Sequence, residues 1–578
     1  MKKSLLLLLV FTLMASVFLV GCQPAETDEP AVADEPAADA KAEPAPEPVD
    51  DNPALARGNV LTVATGSLDG RFNPILSGNV YDTWVVNLIF DSLISGDPAG
   101  NVIPNAAHKW EVSEDKLTYT FFLKEGMKFH DGVEVTAEDV AFTYYTIAHP
   151  DYTGSRGSVV NDIVGAQEYR KLNGDDDDDN DIEKIEGINV IDDYTISFTI
   201  IEPNVKKIRD FWPGIMPKHY YDFTDYDDFI MLMQNPMGSG MFTFHRYLVG
   251  QYAEVRRFED YHGDKPEVEG VIIRLMPSET QAAAVAAGVV DLANPSANLE
   301  NYEIMMESGF ANVQEFLGNS YRYIGFNLRL DKFQDRRTRQ ALFYGLNLVD
   351  FIEAEWEGFA SPAFSPISPV SWAAPEEGVL TEYHFNPEKA KELLAEAGWK
   401  DTDDDGYLDM NGERFTITWT AYDDVSWPVN LIAVAKENWG DLGIELIANL
   451  MEFNAVVELV YDNQDFEIYN MGWSLAIDPD PTSIFGPAAD VPGGFNSIGF
   501  HHERAHEIFK LALLEYDQDK RAELYREWAE IANYELPYLF VSIGNRTWGV
   551  NRRVHGMELG PYYTWVSNID NIKLDYTE

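Results

Sequence analysis

The chain has 578 residues, 45% of them hydrophobic and 13% aromatic, which supplies more than one packed core and excludes a disordered or fibrous polypeptide. Its 97 acidic and 42 basic residues leave a formal net charge of −55, which sets it against nucleic acid and denies it a basic patch for anionic lipid. A single cysteine excludes an intrachain disulfide and any zinc site built on several thiolates.

Lys2 and Lys3 precede an uncharged apolar run, Ser4 to Val20, that closes in Leu19-Val20-Gly21-Cys22. A positive start, a short apolar segment and a small residue before the cut read as an export signal. The run stands near the lower limit for a membrane-spanning helix. Its closing tetrad resembles the lipobox of bacterial lipoproteins. That resemblance implies removal of residues 1–21 and lipid on Cys22, where several acyl chains on one residue anchor firmly. Residues 22–57 are rich in Ala, Pro, Glu and Asp and show no apolar periodicity, so an extended acidic tether is expected there.

Beyond the tether, strand and helix signals interleave. Leu117–Leu123 and Tyr194–Ile200 alternate with period two, and Val271–Met276, Tyr323–Arg329 and Phe415–Tyr422 are rich in β-formers. Thr136-Ala-Glu-Asp139 opens a helix that runs to Ile147. Asn386-Pro387 opens another, stopped by Gly398. Arg337–Trp356 and Lys520–Tyr534 carry apolar residues at helical spacing. The acidic run 175–181 predicts an exposed loop. Strands alternating with helices give an α/β fold class.

Catalytic patterns are scarce. The sequence has no G-x-S-x-G elbow, P-loop or G-x-G-x-x-G. His502-Glu503-Arg504-Ala505-His506 matches H-E-x-x-H, which on a helix sets two imidazoles one turn apart with Glu503 as base for a zinc-bound water. No third ligand stands at a recognised spacing, so a zinc metallopeptidase using His502, Glu503 and His506 is the minor alternative. Asp401-Thr-Asp403-Asp-Asp405-Gly406-Tyr-Leu-Asp409 has the acidic spacing of a calcium loop. A strand signal rather than an exiting helix follows it, so an acidic turn is the first reading and a structural calcium the second.

The stretch Ala106–Val140, AAHKWEVSEDKLTYTFFLKEGMKFHDGVEVTAEDV, closely resembles the signature of the extracellular solute-binding proteins of family 5, the peptide- and nickel-binding components of ABC importers. Trp110, Ser113, Gly126, His130-Asp131-Gly132 and Thr136–Val140 stand in the family's order. Asn235–Phe242 resembles its P-x-G-T-G-P-Y, Phe258–Tyr261 its N-P-x-Y, Gly288–Asp291 its G-x-x-D, and Asp335–Leu342 its D-x-R-V-R-Q-A-L. Asn386–Trp399, Gly472-Trp473 and Leu536-Pro537-Tyr538 also fit, so the resemblance runs from about Gly58 to the C-terminus. It places His502–His506 on an ordinary surface helix.

The resemblance implies a periplasmic-binding-protein-like two-lobe fold with a hinge, of the large peptide-binding type with three subdomains. Residues 58–318 would form lobe 1, with an inserted subdomain at about 91–195. Residues 319–535 would form lobe 2, and 536–578 would return to lobe 1. It implies a monomer without enzymatic activity, cofactor or metal. Such a protein is lipid-anchored at the extracytoplasmic face of the membrane and hands oligopeptides to ABC permease subunits. Oligosaccharides, nickel chelates and haem are the alternative ligands. The resemblance implies that, as is typical of peptide-binding members, the ligand's α-amino group is taken by an aspartate three residues after the Gly-Trp tryptophan. That place is Ala476 here, so Asp478, with Asp480 second, is the expected substitute. Trp473 and Phe453 are expected pocket walls, Asn79, Val80 and Tyr81 the segment offering backbone to the peptide, and Arg156 a partner for a ligand carboxylate.

Overall fold

The computed structural model describes residues 51–174 and 182–577. The export signal 1–21, Cys22, the tether as far as residue 50 and the acidic run 175–181 lie outside the described residues. The folded body begins earlier than the composition predicted. Asn52 caps a short 3₁₀ turn, Pro53–Arg57, and its amide donates to Asn551 Oδ1 at 2.7 Å. Arg57, expected to be the last residue of the tether, is ion-paired with buried Asp291. A base closing an acid-rich stretch was the available signal.

Twelve strands form one mixed sheet. Ser320–Phe326, Thr416–Tyr422, Glu445–Met451 and Ile468–Ser474 make its second-lobe half, and Val60–Thr65, Phe242–Leu248, Tyr252–Arg257, Gly270–Leu275 and Leu292–Ala293 its first-lobe half. Tyr538–Asn551 joins them. Its first residues, Tyr538–Ser542, pair with Ser320–Phe326, and its last, Asn545–Asn551, pair with Ala311–Leu317. The chain therefore crosses between lobes in two adjacent antiparallel places, at Gly318-Asn319 and at Ile543–Asn545. The return to lobe 1 begins near Gly544 rather than at Leu536, because Tyr538–Ser542 belongs to the second lobe's half of the sheet. At the crossing Gly318 N–H donates to the Gly544 carbonyl (3.0 Å), and a Cβ on Gly318 would lie 2.9 Å from that oxygen.

Alternation along strands explains the second lobe's cores. Ile324, Ile468, Leu539 and Val541 enter one cluster with Trp419 and Trp439. Tyr323, Tyr469, Tyr538 and Phe540 enter the cluster on the other face with Trp528. A strand buried on both faces reads as a continuous apolar run, as Tyr538-Leu-Phe-Val541 does.

The inserted region is a four-stranded antiparallel sheet of Ala107–Val112, Thr118–Leu123, Thr195–Thr199 and Ile188–Asp192. It packs on helix Ala137–Ala148, whose Thr136 and Asp139 form a reciprocal capping box. The single helical run expected over Arg337–Trp356 is two helices, Arg336–Tyr344 and Leu348–Trp356. It breaks at Gly345, where a Cβ would meet the Leu442 side chain and the Ala341 carbonyl. Helix Pro387–Ala397 ends at Gly398 with φ 105°, as expected. Among the described residues no helix is long and apolar enough to cross a membrane.

The sequence motifs fasten these parts together. Asp291, fully buried, accepts from Arg553 Nε at 2.7 Å and Nη2 at 2.8 Å, and from Thr62 N–H at 2.8 Å. Asp91 gathers Ser239, Tyr261 and His262. Gly238 and Gly240 run so close to Ile89 that a Cβ on either would meet its backbone. His130 holds the same turn. Its Nε2–H donates to the Gly240 carbonyl (3.0 Å) and its Nδ1 accepts from Gly238 N–H (3.4 Å), which defines the neutral tautomer.

Burial pushes the His130 pKa below its ordinary value, against the Gly240 carbonyl and the nearby Asp91 and Asp131. The folded value lies below the unfolded one, so the contribution of the neutral ring is complete above about pH 6.5 and is lost as pH falls through the folded value. In an NMR titration the His130 ring is expected to stay neutral at about pH 6.5, where a free imidazole is half protonated. Half-titration at or above that pH would contradict the two hydrogen bonds.

Candidate functional site

Strand Ile468–Ser474 lies between Thr416–Tyr422 and Ser320–Phe326 and ends in Gly472-Trp473-Ser474. Trp473 thereby reaches the edge of the second-lobe sheet beside the crossing. Its ring faces Tyr323 in parallel at 6.3 Å and meets Phe495 edge-on at 5.2 Å. The following loop turns at Pro479 and Pro481 into the short helix Thr482–Phe485. Asn319, at the crossing, ties this loop down by donating to the carbonyls of Leu475 and Ala476, each at 3.0 Å. The result is a pocket of about 200 Å³ whose lining includes Asn319, Tyr321, Trp473, Asp478, Asp480 and Phe495. The Tyr321 hydroxyl is buried there without a hydrogen-bond partner.

Both acids of this pocket are engaged. Asp478 accepts both terminal nitrogens of Arg521, at 2.9 and 3.0 Å, and both side chains are buried. Burial acts to lower the Arg521 pKa, but the hydrogen bonds and charge of Asp478 outweigh it and raise the value. Asp480 accepts from Lys206 Nζ at 2.6 Å and from Thr482 N–H at 3.0 Å. Lys206 belongs to the first lobe, on the 3₁₀ turn Val205–Phe211, so this pair spans the two lobes. Arg209 of the same turn donates to the Gly100 carbonyl at 2.7 Å and lies within electrostatic reach of Asp478 and Arg521. Gly100 has φ +82°, and a Cβ there would lie 2.6 Å from Ile477 Cγ2, so only glycine lets the loops approach this closely.

Of the residues singled out from sequence, Trp473, Asp478 and Asp480 share this pocket. Another set lies together in lobe 1. Asn79 caps helix Val80–Ile89, accepting from Tyr81 and Asp82 N–H. Val80 is exposed, and Tyr81 meets Trp84 edge-on at 5.0 Å. Arg156 Nη2 donates to Ser77 Oγ at 3.3 Å, two residues before Asn79. Its Nε is buried without a partner, and among the described residues no carboxylate pairs with it. Burial lowers its pKa. Phe453 lines neither group. Its ring meets Tyr422 edge-on at 5.4 Å, and its N–H donates to Asp424.

Sequence reasoning missed Tyr321, Phe495, Lys206 and Arg521. Arg521 carried a signal: in helix Gln518–Glu535 it begins the buried stripe Arg521, Tyr525, Trp528, Ala532. An arginine on an apolar stripe requires a buried acceptor.

The two candidate metal sites have other uses in the structure. His502 is the N-cap of helix Glu503–Leu514, with Nδ1 accepting from Ala505 N–H at 3.2 Å. His506 Nε2 faces the Phe485 carbonyl at 3.2 Å, and burial lowers its pKa. Among the described residues, only Asp401, Asp403 and Asp405 bring three potential metal ligands together. Their loop is closed by its own backbone donors, Gly406 N–H to Asp401 and Tyr407 N–H to Asp405, and Arg414 pairs with Asp405. Asp409 accepts from Thr402, and the hairpin Asp409–Arg414 follows.

Residues 101–494, more than half of the chain, match the family described as bacterial extracellular solute-binding proteins, family 5 Middle. The chain belongs to this family. As a family 5 protein it is similar to the oligopeptide-binding protein AppA of Bacillus subtilis, with 28% identity over 87% of this chain and 90% of that protein. It is also similar to the dipeptide-binding protein of Escherichia coli, with 27% identity over 86% of this chain and 91% of that protein. The structure of B. subtilis AppA in complex with a nonapeptide superposes with a TM-score of 0.67 at 27% identity, covering 89% of this chain and 98% of that one. These relatives are solute-binding proteins rather than enzymes.

Replacing Asp478 by Asn leaves the Arg521 charge buried without its counter-ion. Urea unfolding of that variant is expected to reveal a loss of about 3–5 kcal/mol. The double variant Asp478→Leu with Arg521→Met should recover much of it, since an apolar pair of similar volume needs no compensation.

Proposed function

We propose that this chain captures oligopeptides in the cleft between its lobes and delivers them, uncut, to the permease of an ABC importer. Lipid on Cys22 would hold it, as a monomer, at the extracytoplasmic face of the membrane. The observation that carries the reading is the pocket of Tyr321, Trp473 and Phe495 beside the two-strand crossing, abutting the first lobe through Lys206 and Asp480. A ligand seated there contacts one lobe directly and biases the position of the other, so binding and closure are one equilibrium. The oligopeptide- and dipeptide-binding relatives support peptide as the ligand class.

The remaining roles belong to the same reading. Arg156, a buried guanidinium without a carboxylate partner among the described residues, would meet a ligand carboxylate. Asn79, Val80 and Tyr81 form the neighbouring wall. Trp473 would supply an aromatic wall of the pocket, beside Tyr321 and Phe495. Phe453 stands apart from this pocket, against Tyr422, and has no part in this reading.

The test is native mass spectrometry of the gently purified protein, followed by calorimetric titration with the peptides it releases. Intact peptides should be recovered, and ligand at a hundred times Kd should stabilise the fold by about 2.7 kcal/mol. Trp473→Ala is expected to weaken binding by about 2 kcal/mol. Cleaved peptides, or no stabilisation by any peptide, would defeat the reading. A retained oligosaccharide, nickel chelate or haem would replace peptide as the cargo.

A further inference from the structure

We infer that the Trp473 pocket does not read a free amino terminus, so that this protein takes N-terminally blocked peptides and internal segments of longer peptides as readily as free ones. The inference rests on the peptide reading above. Capture of an ammonium requires a carboxylate whose charge is not already matched. Asp478 and Asp480 are the two acids lining the pocket. The first is bound bidentately by buried Arg521, and its Oδ1 also faces the Tyr525 hydroxyl at 3.5 Å. The second is bound by Lys206 and by Thr482.

With Arg209 beside Asp478, three bases face two acids, in a chain whose acids outnumber its bases more than two to one. An incoming ammonium would displace Arg521 or Lys206 rather than fill a vacant site. Ala476, where an acid would face the same space, offers no charge. What remains exposed to a ligand is neutral: the rings of Trp473, Tyr321 and Phe495, the prolines 479 and 481, and Ile484. That lining suits an uncharged apolar or aromatic side chain within a peptide. Selectivity would then come from ring contacts and from the main-chain pairing of the ligand, neither of which uses its amino end.

The experiment offers the full chain an equimolar mixture of randomised nonapeptides, half of them N-acetylated, and quantifies the bound fraction by native mass spectrometry. Free and acetylated peptides are expected within about threefold of each other. Acetylated peptides depleted thirtyfold or more would overturn the inference while leaving peptide capture standing. Binding of neither class would overturn the peptide reading and this inference with it. Lys206→Met supplies the second arm, because Lys206 is partly exposed and its loss frees Asp480 without touching the Asp478–Arg521 pair. That variant should favour free amino termini by tenfold or more relative to the parent. An unchanged ratio would show that ion pairing is not what silences the pocket acids, and would overturn the inference.

Discussion

Tyr538–Asn551 is hydrogen-bonded into both lobes, and that single strand constrains everything else in the molecule. Each lobe needs one half of it to complete its sheet, so neither can drift away from the other. The chain passes between lobes here and at the adjoining Gly318-Asn319, two neighbouring strands joined by the bond from Gly318 to Gly544. Such a pair can bend and twist but cannot slide without breaking ladder bonds on both sides. Asn319 lies at this crossing and holds the pocket loop through two carbonyls, so the loop is tied directly to the place where the lobes join.

Charge is managed differently inside and outside. The surface of a chain at −55 is crowded with acids, yet the carboxylates that reach the interior are each held by cations or several donors. Asp291 has Arg553 and Arg57, Asp478 has Arg521, and Asp139 has the cap of its own helix and the Lys218 N–H. A buried carboxylate without such partners would cost several kcal/mol. Arginine stands at two of these acids, Asp291 and Asp478, while Asp139 relies on neutral donors. Arg156, Arg209 and Arg322 show the converse: each guanidinium is largely buried, and among the described residues none is paired with a carboxylate.

The family motifs divide into those that build the frame and those that shape the site. Thr136–Asp139, His130, Gly238–Gly240, Tyr261 and Asp291 are fasteners, and each works through contacts with residues distant in sequence. Asp335 caps a helix for the same purpose, and buried Arg339 binds the carbonyls of Phe333 and Glu535. Of the Gly472-Trp473 pair, Trp473 lines the pocket. The loop after it, 475–481, carries both acids of the pocket, and bases from elsewhere in the chain pair with them.

By itself, the sequence determined the class of fold and most of its elements, because these rest on local periodicity and local caps. The strands Thr118–Leu123, Thr195–Thr199 and Thr416–Tyr422 and the helices Ala137–Ala148 and Pro387–Ala397 stand where alternation, a capping box or a proline–glycine pair put them. The motifs placed the chain in its family, and the Gly-Trp pair located one wall of the pocket. Tertiary structure alone decided which charges meet. Asp478 and Arg521 are 43 residues apart, and Lys206 and Asp480 are 274 apart. No periodicity encodes a contact across that much chain, since the partner is chosen by how two lobes and a helix pack. The same reason separates the pocket acids from the role their neighbourhood suggests: sequence gives a carboxylate its position, but only packing determines whether its charge is free.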